Sequence, residues 1–120
     1  MSNHDPDPVA ALAALAHEQR LAIFRLLVQA GPEGLAAGAI AEALQSPASS
    51  ISFHLANLTR AGMIAQRRES RSLIYATDYA GFQALIAYLV EDCCGGRPEI
   101  CAPLAKFGTC APSVDVRKSA

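Results

Sequence analysis

Apolar residues recur at helical spacing along most of the chain, and the pattern changes to near alternation just after Gly62. Met1 to Pro8 is polar and rich in proline and aspartate, so it reads as a frayed arm. Asp7 is placed to cap a helix that starts near Pro8 and carries Val9, Leu12 and Leu15 on one side. A second helix, roughly His17 to Ala30, presents Leu21, Phe24, Leu27 and Val28 and is stopped by Gly31-Pro32. A shorter third, from about Ala37 to Leu44, buries Ile40 and Leu44. Ser46 and Pro47 then supply a cap and a first-turn proline for a fourth helix, which ends at Gly62 and has Ile51, Leu55 and Leu58 as its buried stripe.

Beyond Gly62, Met63-Ile64-Ala65 leads through Gln66-Arg67-Arg68 to a polar tip at Glu69 to Arg71, and Leu73-Ile74-Tyr75 returns. This predicts a two-stranded hairpin, which must lean on the helices because an isolated hairpin is only marginally stable. Asp78 caps a last long helix to about Cys94, with Phe82, Leu85, Ile86 and Leu89 as its apolar stripe and Gly95-Gly96 as its stop. The remaining tail carries proline and glycine with little periodicity and is expected to be loop.

Helix, helix, short helix, helix, hairpin, helix is a mainly α arrangement with a small β-hairpin, in the order of a winged helix-turn-helix. The third and fourth helices would read DNA and the hairpin would be the wing. Ser49, Ser50, Ser52, His54 and Asn57 all lie off the apolar stripe of the fourth helix. Small hydroxyls there can meet base edges or phosphates. The same residues would also serve as an ordinary solvated face. Arginines tip the balance: Arg67, Arg68 and Arg71 crowd one small projection, as a phosphate-gripping wing requires. Net charge is −1, so nothing global attracts nucleic acid, yet residues 46–78 hold four arginines against Glu69 and Asp78 while residues 1–45 hold two basic and five acidic side chains.

The stretch Ile51-Ser52-Phe53-His54-Leu55-Ala56-Asn57-Leu58, then Ala61-Gly62-Met63-Ile64, then Arg67-Arg68-Glu69 and Tyr75, resembles the recognition helix and wing of the ArsR/SmtB family of bacterial metal-responsive repressors. The likeness covers about residues 9–92. It implies a homodimer that binds double-stranded operator DNA, pairs its first and last helices across a two-fold axis, and loses operator affinity when an inducer binds. It also implies a DNA-binding and dimerisation domain over residues 1–94 and a flexible tail over 95–120 that contributes ligands. The exposed apolar surface expected of Val9, Leu12, Phe82, Ile86 and Leu89 agrees with such a dimer.

Within that family the inducer sites differ in place. Residues 40–45 contain no Cys-x-Cys motif, and no histidine follows His54. Cys93, Cys94, Cys101 and Cys110 are the only cysteines. They resemble the arsenite-responsive branch, in which an adjacent pair at the end of the last helix joins one thiol some six residues later; Cys101 fills that place and Cys110 is the alternative third ligand. Soft thiolates select thiophilic centres. Zinc or cadmium would want all four and leave excess negative charge beside a helix C-terminus, whereas As(III), or Sb(III), exchanges three hydroxyls for three thiolates and stays neutral. Arg97 could offset some of that negative charge. Rival readings are buried structural thiols, a redox switch among the same cysteines, and a metalloid-binding chaperone that would leave the serine face and arginine wing unused.

With 120 residues and 52% apolar composition, the chain has enough for one real core. No stretch approaches the roughly 20 apolar residues of a membrane span, so a soluble, cytoplasmic protein with free thiols is expected and no membrane partner. An enzyme is disfavoured: the thiols form no Cys-x-x-Cys, and neither a phosphate-cradling glycine loop nor an acid/base constellation accompanies them.

Overall fold

The computed structural model describes residues 7–91, and the chain divides into two compact units between Phe82 and Gln83. Helix α1 spans Pro8–Leu15, α2 Glu18–Ala30, α3 Ala37–Leu44, α4 Ala48–Arg60 and α5 Tyr79–Val90; strands β1, β2 and β3 span Leu35–Ala36, Ile64–Glu69 and Ser72–Thr77.

Asp7 caps α1 as expected, its carboxylate accepting from Val9 N–H at 3.1 Å. The buried residues of α1 are however Ala11 and Ala14, while Val9 and Leu12 are exposed by 73% and 43%. Ala11 and Ala14 thus form the packed line of α1, Val9 and Leu12 face outward, and Leu15 is half-buried. In α2 the buried set is Ile23, Phe24 and Leu27, and Leu21 and Val28 are exposed. The expected stripe is thus rotated: Leu21 and Val28 stand seven residues apart on one line of the helix, and the core takes the adjacent line.

The turn between α3 and α4 is a Schellman closure. Ser46 N–H reaches Ala41 C=O at 3.0 Å and Gln45 N–H reaches Glu42 C=O at 3.2 Å, with Gln45 left-handed at φ 53°. Ser46 does not cap α4. Pro47 takes the cap position, its carbonyl accepting from Ile51 N–H at 3.1 Å, and the Ser46 hydroxyl instead accepts from Gln19 Nε2 at 2.6 Å. That bond ties the turn to the start of α2. Ile51, Leu55 and Leu58 are buried as the stripe predicted, together with Ile40, Met63 and Ile64.

Strands β2 and β3 pair antiparallel from Ile64↔Thr77 to Glu69↔Ser72, leaving a two-residue tip of Ser70 and Arg71 with Ser70 at φ 58°. A third strand was not expected: β1 pairs with β3 through Leu35↔Tyr75 and Ala36↔Ile74, giving the order β1-β3-β2. Two residues carry no readable period, so only pairing reveals them. Asp78 caps α5, accepting from Gly81 N–H at 3.0 Å, and Phe82 meets Phe24 edge to face at 5.1 Å. Leu85 is buried, Phe82 and Ile86 are half-buried and Leu89 is exposed. Glu91 is already a turn residue; the expected run to Cys94, the Gly95-Gly96 stop and the domain boundary at 94 lie outside the described residues.

Candidate nucleic-acid interface

Helix α4 is amphipathic because its apolar residues stand four and three apart, so burying Ile51, Leu55 and Leu58 turns the opposite line outward. Ser49, Ser50 and Ser52 are exposed and Asn57 half-buried. Two residues not singled out from the sequence share that outward line. Phe53 is exposed by 64%, and Arg60 ends the helix, its Nη2 donating to Asn57 Oδ1 at 2.9 Å. Asn57 also donates from Nδ2 to Phe53 C=O at 3.2 Å. The sequence signal for both was their distance from the stripe: at about 100° per residue, Phe53 and Arg60 lie nearly opposite Ile51.

His54 sits at the edge of this face and is turned toward α2. Its ring lies 4.6 Å from that of His17, and Arg20 Nη1 is 3.3 Å from its Nδ1. A guanidinium only donates, so Nδ1 accepts, which a protonated imidazole cannot do. Burial, then the charges of His17 and Arg20, lower the His54 pKa from its ordinary 6.5. The sign follows. The folded state binds the proton less readily than the unfolded chain, so stability is full above 6.5 and declines as pH falls toward the lowered value. Urea unfolding midpoints at successive pH values between 7.5 and 5.5 should therefore fall, and His54→Gln should flatten that decline; an unchanged slope in the variant would reject the assignment.

The three wing arginines have separate surroundings. Arg67 pairs with Glu69 at 2.8 Å and donates to the carbonyls of Pro32 at 3.3 Å and Glu33 at 2.8 Å, which ties β2 to the turn before β1. Among the described residues, Arg68 and Arg71 have no such partner. Every residue of β2 after Ile64 is exposed on both faces, so the hairpin projects. Cys93, Cys94, Cys101 and Cys110 lie outside the described residues, and among those described no group of three or more His, Cys, Asp or Glu side chains could hold a metal ion. No described helix is long and apolar enough to cross a membrane.

Comparison with known proteins places this geometry. Residues 15–67 match a helix-turn-helix domain family. The transcriptional activator HlyU of Vibrio cholerae is 30% identical over 89 residues, covering 74% of this chain and 80% of its own. A Halobacterium salinarum protein described as an arsenical resistance operon repressor, ArsR, is 37% identical over 79 residues, 66% of this chain and 60% of its own. The solution structure of the homodimeric winged helix-turn-helix DNA-binding domain of Mycobacterium bovis Mb0332, described there as a possible ArsR-family transcriptional regulator, superposes with a TM-score of 0.54 at 33% identity, over 58% of this chain and 62% of that one. The chain belongs to the ArsR family.

As an ArsR-family protein it is a winged helix-turn-helix transcriptional regulator in which α3 and α4 form the helix-turn-helix and β2 and β3 the wing. The Schellman turn at Gln45 and the Gln19–Ser46 bond fix how α4 stands on α2 and α3. The Arg67 bonds do the same for the wing.

Proposed function

We propose that this ArsR-family protein is an arsenite-responsive repressor, a homodimer that reads a palindromic operator with α4, holds the phosphate backbone with the wing, and lets go when As(III) joins Cys93, Cys94 and Cys101. The observation that carries the DNA reading is the outward line of α4, solvent-facing while its apolar line is fully buried, beside Arg68 and Arg71 on a projecting hairpin. Dimerisation through the first and last helices is supported by the exposed Val9 and Leu12 on α1, and by the homodimeric Mycobacterium bovis relative. Inducer choice rests on donor chemistry. All four cysteines fall within residues 93–110, and three thiolates satisfy trivalent arsenic or antimony without leaving a net charge.

A dimer must place two recognition helices about one helical turn of DNA apart, roughly 34–36 Å, so a small change in how the protomers pair spoils simultaneous contact. A coupling typical of such regulators, about 1–3 kcal/mol, weakens operator binding roughly 5–150-fold.

Anisotropy titrations of a duplex selected by the protein, with and without arsenite, test this directly. Operator should bind far more tightly than random DNA, and arsenite should narrow the gap. Arg71→Ala should weaken binding to every sequence and lower the salt slope by about one. Equal affinity for selected and random duplexes would reject the reading face. Release by hydrogen peroxide or by cadmium or zinc, but not by arsenite, would favour the redox or divalent-metal reading. Tight As(III) binding by a protein without DNA affinity would favour a chaperone.

A further inference from the structure

The outward line of α4 carries an aromatic ring among its hydroxyls. Phe53 is exposed by 64%, midway along a helix whose other apolar large side chains, Ile51, Leu55 and Leu58, are fully buried. It does not hang loose. Its ring stands edge to face against His54, with centroids 5.5 Å apart, and His54 is itself held by Arg20 at 3.3 Å and lies against the tilted ring of His17 at 4.6 Å. Its backbone carbonyl accepts from Asn57. A chain of contacts from the start of α2 thus steadies an apolar side chain on the outward line of α4.

We infer that Phe53 is a specificity-determining residue, reading the C5-methyl group of a thymine in the major groove. This deepens the proposed DNA reading and rests on it. Of the four bases only thymine presents an apolar group at the major-groove edge, and a Phe side chain is one of those that contact it. A serine or asparagine cannot make that distinction by packing. Removing water from one methyl group corresponds to roughly a fourfold gain in affinity, or about fifteenfold when both half-sites of a dimer contribute.

The experiment starts from a pool of random duplexes from which the wild-type protein selects its preferred sequence. Each thymine of that sequence is then replaced by uracil, which deletes only the methyl group. Wild-type protein should lose roughly fourfold per critical thymine, while Phe53→Ala should bind the thymine and uracil duplexes equally. Phe53→Leu, which keeps an apolar surface, should retain part of the discrimination. If the wild type enriches no sequence, the DNA-reading assignment itself falls. If it enriches a sequence yet is indifferent to every thymine methyl, or if Phe53→Ala discriminates as strongly as the wild type, the role of Phe53 is overturned and the wider reading stands.

Discussion

Serine in place of Cys93, Cys94 or Cys101 is expected to leave operator affinity unchanged and to abolish release by arsenite, erasing the whole of a roughly 5–150-fold response. The reasoning is stoichiometric. Trivalent arsenic forms three bonds, and a hydroxyl in place of a thiolate returns one of them to exchangeable oxygen. The two adjacent cysteines come with one another at no loop cost, and the third thiol must close a loop. Six residues separate Cys94 from Cys101 and fifteen separate it from Cys110. By loop entropy alone the longer closure costs about 0.8 kcal/mol more, so Cys110→Ser should have a smaller effect. Anisotropy titrations of each variant with arsenite check this. A Cys101→Ser protein that responds fully while Cys110→Ser does not would exchange the third ligand, and normal arsenite responses from all four single variants would overturn the three-thiol site.

Gly34→Ala should cost the fold about 2–6 kcal/mol, combining roughly 1–3 kcal/mol for backbone strain with a similar amount for overlap. Gly34 has φ 70° and ψ −171°, a region open essentially to glycine alone. A methyl group there would also run into the Tyr75 carbonyl of β3 and the Ile74 side chain. Gly31 provides the control. Its φ of 82° and ψ of −170° lie in the same region, but nothing stands within 4 Å of a methyl group added to it. Gly31→Ala should therefore show the strain alone. Urea unfolding of both variants separates the two contributions, and equal losses would mean that contact with β3 adds nothing. The larger loss at Gly34 should also loosen the wing, because Gly34 leads directly into β1 and the carbonyls of Pro32 and Glu33 hold Arg67.

Local pattern was enough for most elements. Helix α3 begins and ends where its composition predicts, and the α4 stripe of Ile51, Leu55 and Leu58 is buried as its spacing requires. Asp7 and Asp78 act as caps because their side chains reach neighbouring amides, a preference the sequence states outright, whereas His17, which accepts from Gln19 N–H at the start of α2, is a cap that its residue type does not announce. Ser46 looked the same and is not, since a bond from Gln19, 27 residues away, competes for its hydroxyl.

Thus the sequence by itself determined which segments are helical, where the hairpin turns, that residues 46–78 are locally positive, and that every thiol falls within residues 93–110. These depend on periodicity, capping and composition, all of which act over a few residues. Only the tertiary structure decided which line of α1 and α2 is buried, that β1 exists, that Arg67 is committed to the Pro32–Glu33 turn, and that His54 supports Phe53. The β1 pairing, the Arg67 bonds and the hold of Arg20 and His17 on His54 each join residues 34 to 40 positions apart, and the energy of such a contact is set by the packing of two elements and by no property that either one carries alone.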